Sequence, residues 1–267
     1  MPQPHLPVSD LPIGADTEAS IILNAGALTE YEQGMAFLYH FLVELNVNIY
    51  LVEQILRFPL KLFLIEEVAE KNIFLSHFID NTMYMSILSI TRLVADDTSD
   101  VFTIPTFQQN LLKNIRPEYQ AAYKERLRDN RFSDPQIRSI RDRAKVFRNK
   151  RLAHLTQDFF REAYDDTIER THIYFPEIKD LCEKLNQCFS NLGFGREYRM
   201  LPTCYSSDRP GYKSDIEEIL DGIAKNSHIL SLPETSPERW QIVRSTLTQG
   251  DLRQLNQYRK KFNMPDV

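Results

Sequence analysis

Glycine placement constrains this fold most. The chain has 267 residues and only eight glycines, and none lies between Gly34 and Gly193. Hairpins and tight turns commonly need glycine at positive φ, so a gap this long disfavours a β-rich fold. The prolines inside the gap (Pro59, Pro105, Pro117, Pro135 and Pro176) fall where helices start or break. The chain therefore reads as all-α.

Its length allows one large domain with a core of its own and a smaller appendage. The most apolar stretch, 35–65, is interrupted by Glu44, Glu53, Arg57 and Lys61. It reads as buried helix, and no membrane association is expected. The opening MPQPHLPVSDLP has neither the basic start nor the apolar run of a secretory signal. Cys182, Cys188 and Cys204 show no C-x-x-C spacing, against a disulfide scaffold or a zinc site. A cytoplasmic chain with reduced thiols, no metal and no cofactor is the expectation.

Residues 1–27 look irregular. Thr29 and Glu32 then fit a capping box opening a long helix to about Phe58. Its apolar positions, among them Leu38, Leu42, Leu45, Ile49 and Val52, recur at three and four. A second long helix is expected from about Leu60 to Ala95, antiparallel to the first. The polar loop 96–100 resembles a calcium loop, but Val101 stands where such a loop needs glycine, so no calcium site is expected. Short helices should surround Pro117. Ser133-Asp134-Pro135-Gln136 opens a helix that buries Ile137, Ile140, Ala144 and Phe147. Another begins at Pro176, buries Ile178, Leu181, Leu185, Cys188 and Phe189, and ends near Gly193. The expected domains are an irregular 1–27, a helical bundle over 28–193, a loop over 194–213 and a helical appendage over 214–267. The appendage is read as helices Ser214–Lys225 and Pro237–Phe262. Its apolar face is Trp240, Ile242, Val243 and Leu247, and its basic end is Arg253, Arg259, Lys260 and Lys261.

Charge is concentrated in one place. From Arg138 to Arg151 there are seven basic residues (138, 141, 143, 145, 148, 150 and 151) and one acid, Asp142. That local +6 sits in a chain whose net charge is −5. Positive charge gathered on an acidic protein marks a place for an anion. The following segment, 156–170, is acidic and would offset part of it. The basic run ends in Arg148-Asn149-Lys150-Arg151-Leu152-Ala153-His154. An arginine fork can stabilise charge on phosphate oxygens, and a histidine titrates near neutral pH and can move protons. On one continuous helix, however, residues six apart lie roughly 120° and about 9 Å from each other. Either the helix breaks before His154 or two copies of the motif face each other.

Arg148 and His154, with a polar residue directly after the arginine, resemble the Arg-x(4–6)-His motif of HEPN domains. RNKRLAHL, with two long helices upstream and ITRLVADD ending the second, is most similar to the AbiU-type abortive-infection branch. The likeness extends over roughly 28–192 and implies a HEPN-like helical bundle with the small C-terminal helical appendage beside it. It also implies metal-independent RNA cleavage in toxin–antitoxin or antiviral defence, from a composite site in a homodimer. Arg148 and His154 would be catalytic, with Asn149 orienting the phosphate or the histidine. Arg141, Lys145, Lys150 and Arg151 would hold the RNA backbone without reading sequence. An antitoxin or another defence-system protein would be a further partner. Some family members place a modifiable tyrosine two residues after the histidine; here Thr156 stands there, so that control is not expected. The alternative is a HEPN-like module that binds RNA or a protein without cleaving.

Overall fold

The computed structural model describes residues 11–14, 16–63, 70–95, 102–130, 132, 135–148, 172–195 and 214–267. The described residues are helical, as expected, with a single isolated antiparallel bridge, Leu23–Ile115. The helices are α1 (Ala19–Ile22), α2 (Leu28–Arg57), α3 (Leu60–Phe63), α4 (Glu70–Ile90), α5 (Ile104–Asn114), α6 (Gln120–Arg126), α7 (Pro135–Phe147) and α8 (Phe175–Leu192). The last four are α9 (Asp215–Lys225), α10 (His228–Thr235), α11 (Pro237–Thr246) and α12 (Gln249–Lys261). A π-helical turn, Thr91–Ala95, continues α4.

The chain divides into two compact units. The first holds residues 1–49 and 83–204, the second 50–82 and 205–267. The long helices α2 and α4 each contribute to both.

In the first unit one core stripe of α2 runs through Tyr31, Met35, Leu38, Leu42 and Leu45. It joins Ile90 and Leu93, Phe107 and Leu111, Ile140 and Ala144, and Leu181, Leu185 and Phe189 in a single cluster. By length and composition alone α2 could cross a bilayer; this stripe lies inside the protein core instead. Asn46 and Asn186 exchange amide hydrogen bonds of 3.0 and 2.9 Å, tying α2 to α8. The last turn of α8 would leave carbonyls without intrahelical donors. Arg126 supplies them, donating to Ser190 O at 2.9 Å and Gly193 O at 2.6 Å. Residues 11–27 are more ordered than their composition suggests. They contain α1, and Arg116 donates to Leu23 O at 2.9 Å and Ser20 O at 3.1 Å.

The second unit packs Ile55, Phe58, Leu62 and Phe63 with Leu220, Leu230, Trp240 and Leu255. Arg259 is fully buried there, donating to Pro265 O at 2.6 Å and also to Leu230 O and the Glu234 carboxylate.

Several expectations are corrected. Helix α2 starts at Leu28, so Thr29 lies in its first turn and does not cap it. The span Pro237–Phe262 is two helices, because Thr248 accepts from Asp251 N at 3.1 Å while Asp251 accepts from Thr248 N at 2.9 Å. That reciprocal cap starts a new helix. Helix α10 was not expected, since Pro233 lies inside it. Ile242 is exposed, and Arg259 belongs to the interior, not to a basic end.

Candidate active site

Helix α7 positions the basic run. Ile137, Ile140, Ala144 and Phe147 are all buried, as their spacing predicts. Phe147 meets Tyr84 of α4 with ring centroids 5.4 Å apart. The π-helical turn 91–95 also packs against α7. Pi-helical turns recur at functional sites because they re-aim side chains that a regular helix would hold in phase. Here Thr91 bonds back to Leu88 O at 2.7 Å, and Arg92 is left exposed.

The basic residues have separate tasks. Arg143 is a structural clamp. It donates to His172 O at 2.6 Å, and to Glu177 Oε1 at 2.6 Å and Oε2 at 3.1 Å. Glu177 also accepts from Tyr174 N at 2.9 Å, closing the start of α8. The Arg143 hydrogen bond, aided by that backbone N–H, holds the Glu177 carboxyl below its ordinary range. Arg141 lies 3.2 Å from Asp142, so part of its charge is answered within the helix. Lys145 and Arg148 are half-buried, Lys145 in the last turn of α7 and Arg148 in the residue that follows it.

Arg148 is thus the one expected catalytic residue that the structure describes, and it directly follows the last residue of α7. Asn149, Lys150, Arg151 and His154 lie outside the described residues, as do the acidic 156–170 segment, the 96–100 loop, Ser133 and Asp134. Among the described residues no three His, Cys, Asp or Glu side chains gather as a metal site would require. Cys182 and Cys188 are core residues, and burial pushes both thiols up to about 12. Arg92, exposed on the π-helical turn, is not among the site residues expected from the sequence. Its only signal is its place in ITRLVADD, just after the end of α4.

Residues 66–198 match the family model HEPN_AbiU2, described as AbiU2. Over this segment the chain belongs to the AbiU-type HEPN family. The HEPN segment contains α4, the π-helical turn, α5, α6, α7 and α8, and with them the whole Arg148–His154 motif. It begins later than the likeness read from the sequence, leaving α2 outside the match. The family places the chain among the HEPN modules of abortive-infection defence. No curated protein and no solved structure matches the chain.

Proposed function

We propose that this protein is a metal-independent endoribonuclease of the toxin–antitoxin or antiviral-defence kind. The observation that carries the reading is Arg148, half-buried directly after the basic helix α7, as the first residue of an Arg-x5-His sequence within the HEPN segment. In the proposed reaction a ribose 2′-hydroxyl loses its proton to His154 and attacks the adjacent phosphorus. The bond to the 5′ oxygen breaks, and that oxygen takes up a proton. The products are a 2′,3′-cyclic phosphate and a free 5′-hydroxyl. Arg148 stabilises the charge that builds on the non-bridging oxygens, where a fixed guanidinium is worth most in the transition state. Asn149 orients the phosphate or the imidazole, while Arg141, Lys145, Lys150 and Arg151 attract the backbone.

The active species in this reading is a homodimer in which two motifs face each other across the symmetry axis. Two +6 segments repel. Each pair of unit charges about 8 Å apart costs about 2 kcal/mol at an effective dielectric of 20, before screening. Apolar contact elsewhere must carry the interface, and RNA entering the cleft relieves the repulsion. The experiment is light scattering at micromolar protein, together with an RNA-cleavage assay. A dimer whose Arg148→Ala and His154→Ala variants fold but do not cleave is expected. A monomer that cleaves RNA undiminished would refute the composite site. A folded dimer that binds RNA without cutting it would leave a binding module in place of a nuclease.

A further inference from the structure

We propose that Phe37, held by Phe41 and Phe102 and flanked by Arg92, forms a stacking platform for a base of single-stranded RNA, built from residues outside the Arg148–His154 motif. The inference rests on the reading of this chain as an RNA-processing enzyme, and it adds a binding site that the motif does not supply.

The rings form a connected set. Phe37 packs edge-to-face on Phe41 at 4.8 Å and on Phe102 at 5.2 Å, with interplanar angles of 65° and 86°. Phe37 is nevertheless 45% exposed, and Phe41 and Phe102 are only half-buried. The set is anchored from below. Phe102 lies 5.2 Å from Phe107, which is buried and sits directly over the backbone of Gly34. Core packing explains Phe107; it does not explain a phenylalanine left half in water at the outer end of the same chain of rings. A ring already packed on two neighbours has little freedom left to lose when a flat ligand settles on it.

The cation points to the kind of ligand. The Arg92 guanidinium carbon lies 5.3 Å from the Phe41 centroid. Arg92 belongs to the π-helical turn that packs on α7, the helix of Arg138, Arg141 and Lys145. A nucleotide offers a π-face for the exposed Phe37 ring and a phosphate for the guanidinium. Stacking of this kind tolerates any base and requires it to be unpaired. A second copy of the chain is the less favoured occupant, because an apolar contact between copies would cover the exposed Arg92 guanidinium beside the rings with no phosphate to meet its charge.

The test is equilibrium binding of a fluorescently labelled 2′-O-methyl oligouridylate of twelve nucleotides to the full chain, read by anisotropy. That strand has no 2′-hydroxyl to attack, so binding is measured without cleavage. Phe37→Ala, folded by circular dichroism, is expected to bind about 5- to 100-fold more weakly, the range that stacking contacts give. Phe37→Trp should restore affinity. The salt dependence should be unchanged in Phe37→Ala and shallower by about 0.7 in log–log slope in Arg92→Gln, as loss of one phosphate contact requires. An abasic strand of the same length should bind wild type and Phe37→Ala alike. Equal oligouridylate affinity in wild type and Phe37→Ala would overturn the platform, even if the protein cleaves RNA. A fall in scattering mass with Phe37→Ala would also overturn it, making the patch a contact between copies. Phe37-dependent binding by a chain that cuts no RNA would uphold the platform and remove the nuclease.

Discussion

Replacing Arg143 by methionine should weaken the fold without touching RNA affinity directly, although Arg143 sits inside the most basic stretch of the sequence. Its guanidinium makes three charge-assisted bonds, to His172 O and to both oxygens of Glu177. Such bonds contribute roughly 1.5–3 kcal/mol when sheltered, whereas exposed ion pairs contribute roughly 0.2–1 kcal/mol. The two side chains are 23% and 29% exposed, between those limits, so solvent screening reduces the sheltered figure. A loss of about 1–2 kcal/mol follows for Arg143→Met, with about 1 kcal/mol of it shared with Glu177 in a double-mutant cycle. The unfolding midpoint should fall by roughly 3–6 °C. The sign of the pH dependence is fixed by Glu177, whose carboxyl is held below its ordinary value by Arg143. The pair's contribution is complete above the unfolded-state value of about 4.3 and disappears as pH falls through the lower folded value. Glu177→Gln should flatten that acid limb. The assay is denaturant unfolding of the four cycle members from pH 3 to 7, with the salt slope of RNA binding measured alongside. A zero coupling energy would refute the clamp. A salt slope made shallower by Arg143→Met would refute the division of labour along α7.

Three further outcomes follow from packing. Gly34→Ala should destabilise by about 1–2 kcal/mol in denaturant unfolding, because its Cβ would lie 2.4 Å from Phe107 Cε2 and 2.9 Å from Phe102 Cζ; overpacking of this size outweighs the roughly 1 kcal/mol gained in helix propensity. Arg259→Met should cost roughly 2–4 kcal/mol by the same measurement, since it strips the donor from Leu230 O and Pro265 O, while Glu234 can turn to water. Cys182 and Cys188 should resist a thiol reagent at pH 8 in the folded chain and react on unfolding, read by peptide mapping; rapid native labelling would contradict their burial.

Much of the fold could be read from periodicity. The stripe Ile137, Ile140, Ala144 and Phe147 and the stripe Ile178, Leu181, Leu185 and Phe189 are buried as spaced, because a helix with one apolar face has one way to bury it. Boundaries set by local hydrogen bonds were harder to see. Thr248 and Asp251 split an expected helix with a cap whose sequence, T-x-x-D, departs from the usual glutamate or glutamine. The charged positions were least legible. Seven cations in a row look alike in sequence, yet Arg143 is committed to Glu177 and Arg141 lies against Asp142. The carboxylate that meets Arg143 lies 34 residues further along the chain, on α8. Arg92 was missed for the complementary reason: one arginine in an apolar run gives no signal until the fold sets its guanidinium over the Phe41 ring.

The central claim is tested most directly by the ends of cleaved RNA. Wild-type protein, incubated with a single-stranded RNA in excess EDTA, should yield fragments ending in a 2′,3′-cyclic phosphate or its hydrolysis product and beginning with a 5′-hydroxyl. Arg148→Ala and His154→Ala, folded by circular dichroism, should yield none. Cleavage abolished by EDTA and restored by magnesium, or fragments carrying a 5′-phosphate and a 3′-hydroxyl, would contradict the account.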